Sequence, residues 1–171
     1  LYAFWAFVPV MLTIYNTAQP QTNFNIPLMS FMIIGIGGLA SVIGGYISQV
    51  LGAKRTAFIA LLLSGICCLV SPFIFAIEAY QLFILFMVIW GAAVIADSPL
   101  FSTLVAQNAP VSMKGTALTI VNCIGFSITI FSIQLLSFLR TITDSNMIFG
   151  FLAIGPAFGL IALSRNRKAP I

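Results

Sequence analysis

Six apolar runs, 1–15, 27–50, 56–77, 79–106, 115–139 and 147–163, make up most of this chain and leave it no soluble fold. Charged residues are 6% of the sequence and apolar residues 61%. An ordinary soluble domain carries about 25% charged residues, because its surface must face water. Here lipid is the solvent. A helix that crosses the hydrocarbon core needs about 20 residues, within a range of about 17–25. Four runs meet that length and the last stands at its short limit. The first is short and opens at Leu1, as expected of a chain that begins inside a span. Barrel strands would be about 10 residues long with alternating polarity, which these runs are not. The expectation is an all-α membrane protein of six transmembrane helices in one bundle, with short connections and antiparallel neighbours.

The charge pattern excludes several functions. The net charge of +4 comes from cations set singly or in short clusters between apolar runs, not from a basic stripe with interleaved aromatics. Nucleic acid is therefore not an expected partner, and membrane lipid is. With alternating spans, Lys54, Arg55, Lys114, Arg165, Arg167 and Lys168 fall on one side, and Arg140, Glu78 and Asp144 on the other. Cations favour the cytoplasm, so both termini of the chain are expected there, in a plasma (inner) membrane. There is no histidine. Cys67, Cys68 and Cys123 lie inside apolar runs, where cysteine behaves as a small hydrophobe. No metal site, disulfide framework or cofactor is expected. A rhomboid-type protease needs a Ser–His pair and an intramembrane aspartyl protease needs two carboxylates, so an enzyme is not expected either.

Small residues recur at packing distance. Gly37, Ser41 and Gly45 are four apart on the second run, and Gly155 and Gly159 on the sixth. Such faces let helix backbones approach closely in lipid. Pro9, Pro72, Pro99 and Pro156 lie within runs, and each removes a backbone hydrogen bond.

Two connections carry motifs. The stretch 45–55 reads GYISQVLGAKR and has the form of a tight turn between spans. Its Gly45, Gly52, Lys54 and Arg55 match the pattern G-x-x-x-D-[RK]-x-G-x-[RK]-[RK], with Gln49 in the place of the Asp and Val50 in that of a cation. Pro110, Lys114, Gly115 and Ala117 match P-x-x-x-[RK]-G-x-A. On these residues the chain resembles the major facilitator superfamily of transporters, whose signature loop joins the second and third helices of a six-helix half. The resemblance implies that the whole chain is one such half. The degenerate loop and the basic end at 165–168 favour the second, C-terminal half, and the first is the alternative. Gln49 can hydrogen-bond but cannot make the charge-assisted contact that the family's Asp makes across the halves.

Asp97 is the one ionisable side chain deep within a run. A carboxylate there costs about 2.5–3.5 kcal/mol on insertion scales, so it is expected to face a cavity or a partner. The resemblance implies a cavity, since the fourth helix of each half lines the central one. Counting at about 1.5 Å per residue puts Asn122, on the fifth run, at a similar depth and makes it the expected partner of Asp97. Ser98 either joins them or satisfies backbone freed by Pro99. Tyr2, Thr13 and Tyr15 lie on the first run, which corresponds to a cavity-lining helix of the family. Gln134 lies near an outer end.

The expected function is secondary active transport of a small solute by alternating access, with Asp97 as a substrate contact or proton-coupling group. The alternative is a non-transporting scaffold, or a half that needs a partner. Six helices supply one wall of such a site, so an N-terminal six-helix half or a second copy is an expected partner. Asp97-Ser98-Pro99 is similar to nitrate/nitrite-porter-like members, but those use a buried arginine in the second helix, and this second run has none. A cation, a neutral solute or a drug-like compound fits a lone carboxylate better.

Overall fold

A computed structural model describes residues 2–19, 24–142 and 146–164, with backbone only at 146 and 147. The described residues are helical, without strands. The helices are α1 (Tyr2–Ala18), α2 (Ile26–Leu51), α3 (Ala53–Ile74), α4 (Tyr80–Asn108), α5 (Lys114–Ile142) and α6 (Ile154–Ser164). A short 3-10 turn, Val111–Met113, leads into α5, and a longer 3-10 segment, Asn146–Ala153, leads into α6. Four stretches are long and apolar enough to cross a membrane, namely α2, α3, α4 and Val111–Ile142. The first helix has 17 residues. The expected run 147–163 is not one α-helix but 3-10 winding followed by α6. Pro156 has no N–H to offer the carbonyl of Leu152, and this is where α-helical winding gives way. Arg165, Arg167, Lys168 and Asp144, used in the charge count, lie outside the described residues.

Stripes of buried residues decide how the helices pack. On α3, Ala53, Thr56, Ala57, Ala60, Leu61, Ser64, Cys67, Cys68 and Ser71 are buried, at the three- and four-residue spacing of one helix face. On α1 the stripe is Ala3, Phe4, Phe7, Val8, Met11, Leu12 and Tyr15. Helix α4 is central and is packed by α2 and α3. Helix α5 buries only Leu136 among its residues and touches α1 and α4 lightly. In lipid, apolar burial gives little drive for helix association, so close packing and hydrogen bonds must hold the bundle.

Close packing is concentrated where α2 crosses α4. A Cβ added at Gly37 would overlap Ile95 Cδ1, and one at Gly44 would lie 3.6 Å from Ala96 Cβ. A Cβ at Gly91 would meet the Ile33 carbonyl oxygen at 3.2 Å. The contact face is therefore Gly37, Ser41 and Gly44. Gly45 is not part of it, since nothing lies within 4 Å of its Cβ position. Seven residues make nearly two full turns at 3.6 residues per turn, so Gly44 falls under Gly37 and Gly45 swings off the face. On α6, Gly159 packs against Leu61, with a built Cβ 2.9 Å from Leu61 Cδ1, whereas Gly155 faces open space.

Two prolines are accommodated by serine hydroxyls, a common remedy in membrane helices. Pro99 leaves the carbonyl of Ile95 without its helical donor, and Ser41 Oγ of α2 reaches it at 3.4 Å while also donating to Gly37. The freed carbonyl is thus met across the helix crossing, not by Ser98. Pro72 does the same to Cys68, whose carbonyl accepts from Ser71 Oγ at 2.8 Å.

At the end of the bundle where α3 passes to α4, aromatic rings pack in series. Tyr15 stacks on Phe83 at 3.8 Å, Phe83 meets Phe75 at 5.3 Å, and Phe75 stacks on Phe149 at 5.5 Å. Each such pair adds about 0.5–1.5 kcal/mol beyond area burial. The Tyr15 hydroxyl donates to the Ile77 carbonyl at 2.8 Å, which ties α1 to the α3–α4 connection.

At the other end, the turn within 45–55 is a single residue. Helix α2 runs to Leu51, Gly52 stands at φ 86° and ψ 143°, and α3 starts at Ala53. Residues 45–51 are helix, not loop. A backbone at that φ favours glycine, and holding another residue there costs of order 1–3 kcal/mol. Gly52→Ala should lower the thermal unfolding midpoint of the protein in detergent, with Gly38→Ala, which meets nothing within 4 Å, as the neutral control.

Candidate functional site

The site is built on α4, whose middle carries four polar residues in the seven positions 97–103. Asp97, Ser98 and Ser102 lie on one side of this helix and, with Asn122 and Thr129 of α5 and Tyr2 of α1, line a cavity of about 290 Å³. Phe101 and Phe126 supply apolar wall. Helix α5 stands off the bundle enough to leave this space.

Within the cavity the polar groups divide into two sets. Ser102 Oγ donates to the Ser98 carbonyl at 3.4 Å, and Thr129 Oγ1 to the Gly125 carbonyl at 2.9 Å, so both are partly satisfied by their own helices. The side chains of Asp97, Ser98 and Asn122 have no hydrogen-bond or ion-pair partner among the described residues. The structure thus brings Asp97, Ser98 and Asn122 to one cavity, but no hydrogen bond joins Asp97 to Asn122, contrary to the expected pairing. Acceptor-only carboxylate, amide and hydroxyl together can receive a ligand's donors and offer donors in return. Polar groups without partners in apolar surroundings are costly, and a ligand or water that meets them recovers that cost.

Other expected residues lie elsewhere. Thr13 donates to the Pro9 carbonyl of its own helix, and Tyr15 is in the aromatic core. Gln134 is exposed on α5. Gly45, Gln49, Gly52, Lys54 and Arg55 sit at the α2–α3 end, remote from the cavity in sequence and in lining. Lys54 and Arg55 are exposed in the first turn of α3. Cations at a helix N-terminus run against its dipole, so the helix itself does not favour them there.

The geometry also adds residues that the sequence did not signal. Ser102 and Phe101 follow Asp97 at the spacing of one helical turn, a signal that was present but shared by many residues of α4. Thr129 stands seven after Asn122 and so on the same face of α5.

The family model described as Major Facilitator Superfamily matches residues 1–133 of the 171. The chain belongs to the major facilitator superfamily. It is a multi-pass membrane protein of a family of transporters, as the loops at 45–55 and 110–117 led one to expect, and membership points to transport rather than to enzyme chemistry. The match includes both loops, α4 with Asp97 and Ser98, and α5 as far as Ile133 with Asn122. Neither a curated protein nor a solved structure matches this superfamily member.

Proposed function

We propose that the chain is one six-helix half, the second, of a secondary transporter that moves a small solute by alternating access. One observation supports the reading: Asp97, Ser98 and Asn122, on α4 and α5, have no hydrogen-bond partner among the described residues and line one cavity. Helix α1 and the run 146–164 act as the first and sixth spans, completed by membrane that a length criterion ignores. The other wall comes from a first six-helix half, or from a second copy. The open face of α5 and the lightly held Asn122 are what one wall of a two-part site would present.

The solute is a small cation or a neutral hydrogen-bonding compound. The cavity offers a carboxylate, an amide and a hydroxyl, and no cationic side chain lines it. Asp97 contacts this solute or carries a proton in exchange for it. The protein resides in the plasma (inner) membrane with the α2–α3 turn in the cytoplasm. Lys54, Arg55 and Lys114 at that end, against Arg140 and Glu78 at the other, support this orientation.

Uptake by proteoliposomes containing the full-length protein tests the coupling. A panel of labelled organic cations and neutral solutes is offered with and without an imposed pH gradient. Saturable uptake that the gradient accelerates is the expected result. Saturable uptake indifferent to the gradient would remove proton coupling and leave Asp97 as a substrate contact.

A further inference from the structure

Asp97 faces two cavities, not one. Behind it lies a second chamber of about 250 Å³, partly open to the outside, walled by α1, α3, α4 and the 3-10 and α6 run. Phe4, Ser64, Cys68, Trp90, Asp97 and Gly155 line it. Asp97 and Phe101 belong to both cavities and form the partition between them.

Two polar groups with no hydrogen-bond partner among the described residues meet at this chamber, beside the Trp90 indole. That indole is fully buried, and its N–H meets the Cys68 thiol, a weak acceptor. Ser64 is buried, at 4% exposure, and makes no hydrogen bond. Neighbouring serines of the bundle do otherwise, since Ser41 and Ser71 both bond to backbone carbonyls. The second group is the Asp97 carboxyl. A buried donor or acceptor left unmet costs about 1–3 kcal/mol, and native proteins meet nearly all of them. An apolar occupant such as a lipid tail would leave both unmet.

We infer that this chamber is a hydration site, in which a small cluster of water molecules bridges Asp97 and Ser64. A site for buried water needs room and two to four polar partners per molecule. The chamber has both, as water takes about 30 Å³ each in the liquid. Water accepts from or donates to the Ser64 hydroxyl and donates to the carboxylate. The cluster holds the back of Asp97 while its front faces Asn122 and Ser98. The inference stands whether or not Asp97 takes part in transport.

Hydroxyl-radical footprinting by X-ray radiolysis, read residue by residue by mass spectrometry on the full-length protein in lipid nanodiscs, tests it. Radicals form from water in place, so a buried side chain beside ordered water is oxidised. Met11 and Met87 are equally buried, readily oxidised, and line neither cavity, and so serve as dry controls. Trp90 and Cys68 should be oxidised several-fold faster than these two methionines. Gly155→Leu should suppress that difference, because Gly155 lines the chamber and a Cβ there strikes no neighbour within 4 Å. Trp90 and Cys68 as inert as Met11 and Met87 would overturn the inference, since the chamber would then be dry or filled by lipid. The wild-type comparison decides this by itself if the Gly155 variant does not fold. Unchanged oxidation in a folded Gly155→Leu protein would also overturn it, by showing that the radicals arise elsewhere.

Discussion

Asp97→Asn cuts solute uptake into proteoliposomes by about ten- to a hundredfold, the loss that follows when a hydrogen bond to a charged group worth about 1.5–3 kcal/mol is weakened. Asparagine keeps the shape of aspartate and one of its acceptor oxygens. It loses the negative charge, and it can neither bind nor release a proton. The position admits no local rescue, because Asp97 has no ion-pair or hydrogen-bond partner among the described residues that could take over its role. The folded state should hardly notice the change, for the same reason. Unfolding midpoints of the two proteins are therefore expected to agree within a degree or two, which separates a functional loss from a structural one. Full, pH-independent uptake by the Asn variant would remove Asp97 from both coupling and substrate contact.

Gly37→Leu has the largest expected effect on stability. Even a Cβ at this position overlaps Ile95 Cδ1, and it would lie 2.8 Å from Ile95 Cγ1 and 3.0 Å from Ile95 Cβ. Because the clash reaches the Ile95 Cβ, rotating the side-chain tip does not relieve it. Helices α2 and α4 must separate, and the Ser41 contact with the Ile95 carbonyl goes with them. Overpacking typically costs about 1–3 kcal/mol, and a leucine here belongs at or above the upper end, about 3 kcal/mol. Thermal unfolding in detergent measures it. The milder Gly37→Ala should be largely repaired by a second change, Ile95→Ala, since residues in direct contact do not behave additively. No repair in the double variant would mean that the crossing is not held by this pair.

Much of this architecture could be read from the residues, and the failures have physical causes. The long apolar runs announced a helical membrane protein, and the α3 stripe from Ala53 to Ser71 is a helix face by spacing alone. The loops at 45–55 and 110–117 were enough to indicate the superfamily. Asp97 and Asn122 were placed at one depth by counting residues, and they do line one cavity, because antiparallel neighbours keep depth in register. What counting cannot give is azimuth. It chose Gly45 over Gly44 although 3.6-residue winding puts the latter under Gly37. It also took Asn122 as the partner of Asp97 although no hydrogen bond joins the two side chains.

Other features had no local signal at all. Helix α5 is nearly as apolar as its neighbours, yet it stands off the bundle with one buried residue. Hydropathy cannot separate a face turned to lipid from one turned to protein when both are apolar. Ser64 and Trp90 looked like ordinary members of an apolar run. Only the way four helices meet shows that Ser64 has no hydrogen-bond partner among the described residues and that the Trp90 N–H has the Cys68 thiol. Ser41 illustrates the opposite case, in which a small residue read as packing also supplies the hydrogen bond that Pro99 removed from α4.

Counterflow in proteoliposomes tests the central claim most directly. Vesicles containing the full-length protein are loaded with an unlabelled solute identified in the uptake panel, then diluted into a trace of the labelled compound with no ion gradient. Alternating access predicts that label enters in exchange, rises above its equilibrium level and then declines, and that Asp97→Asn blunts the overshoot. Entry that climbs steadily to equilibrium would mark a channel. Entry no faster than in protein-free vesicles would mark a scaffold, and either would contradict the account.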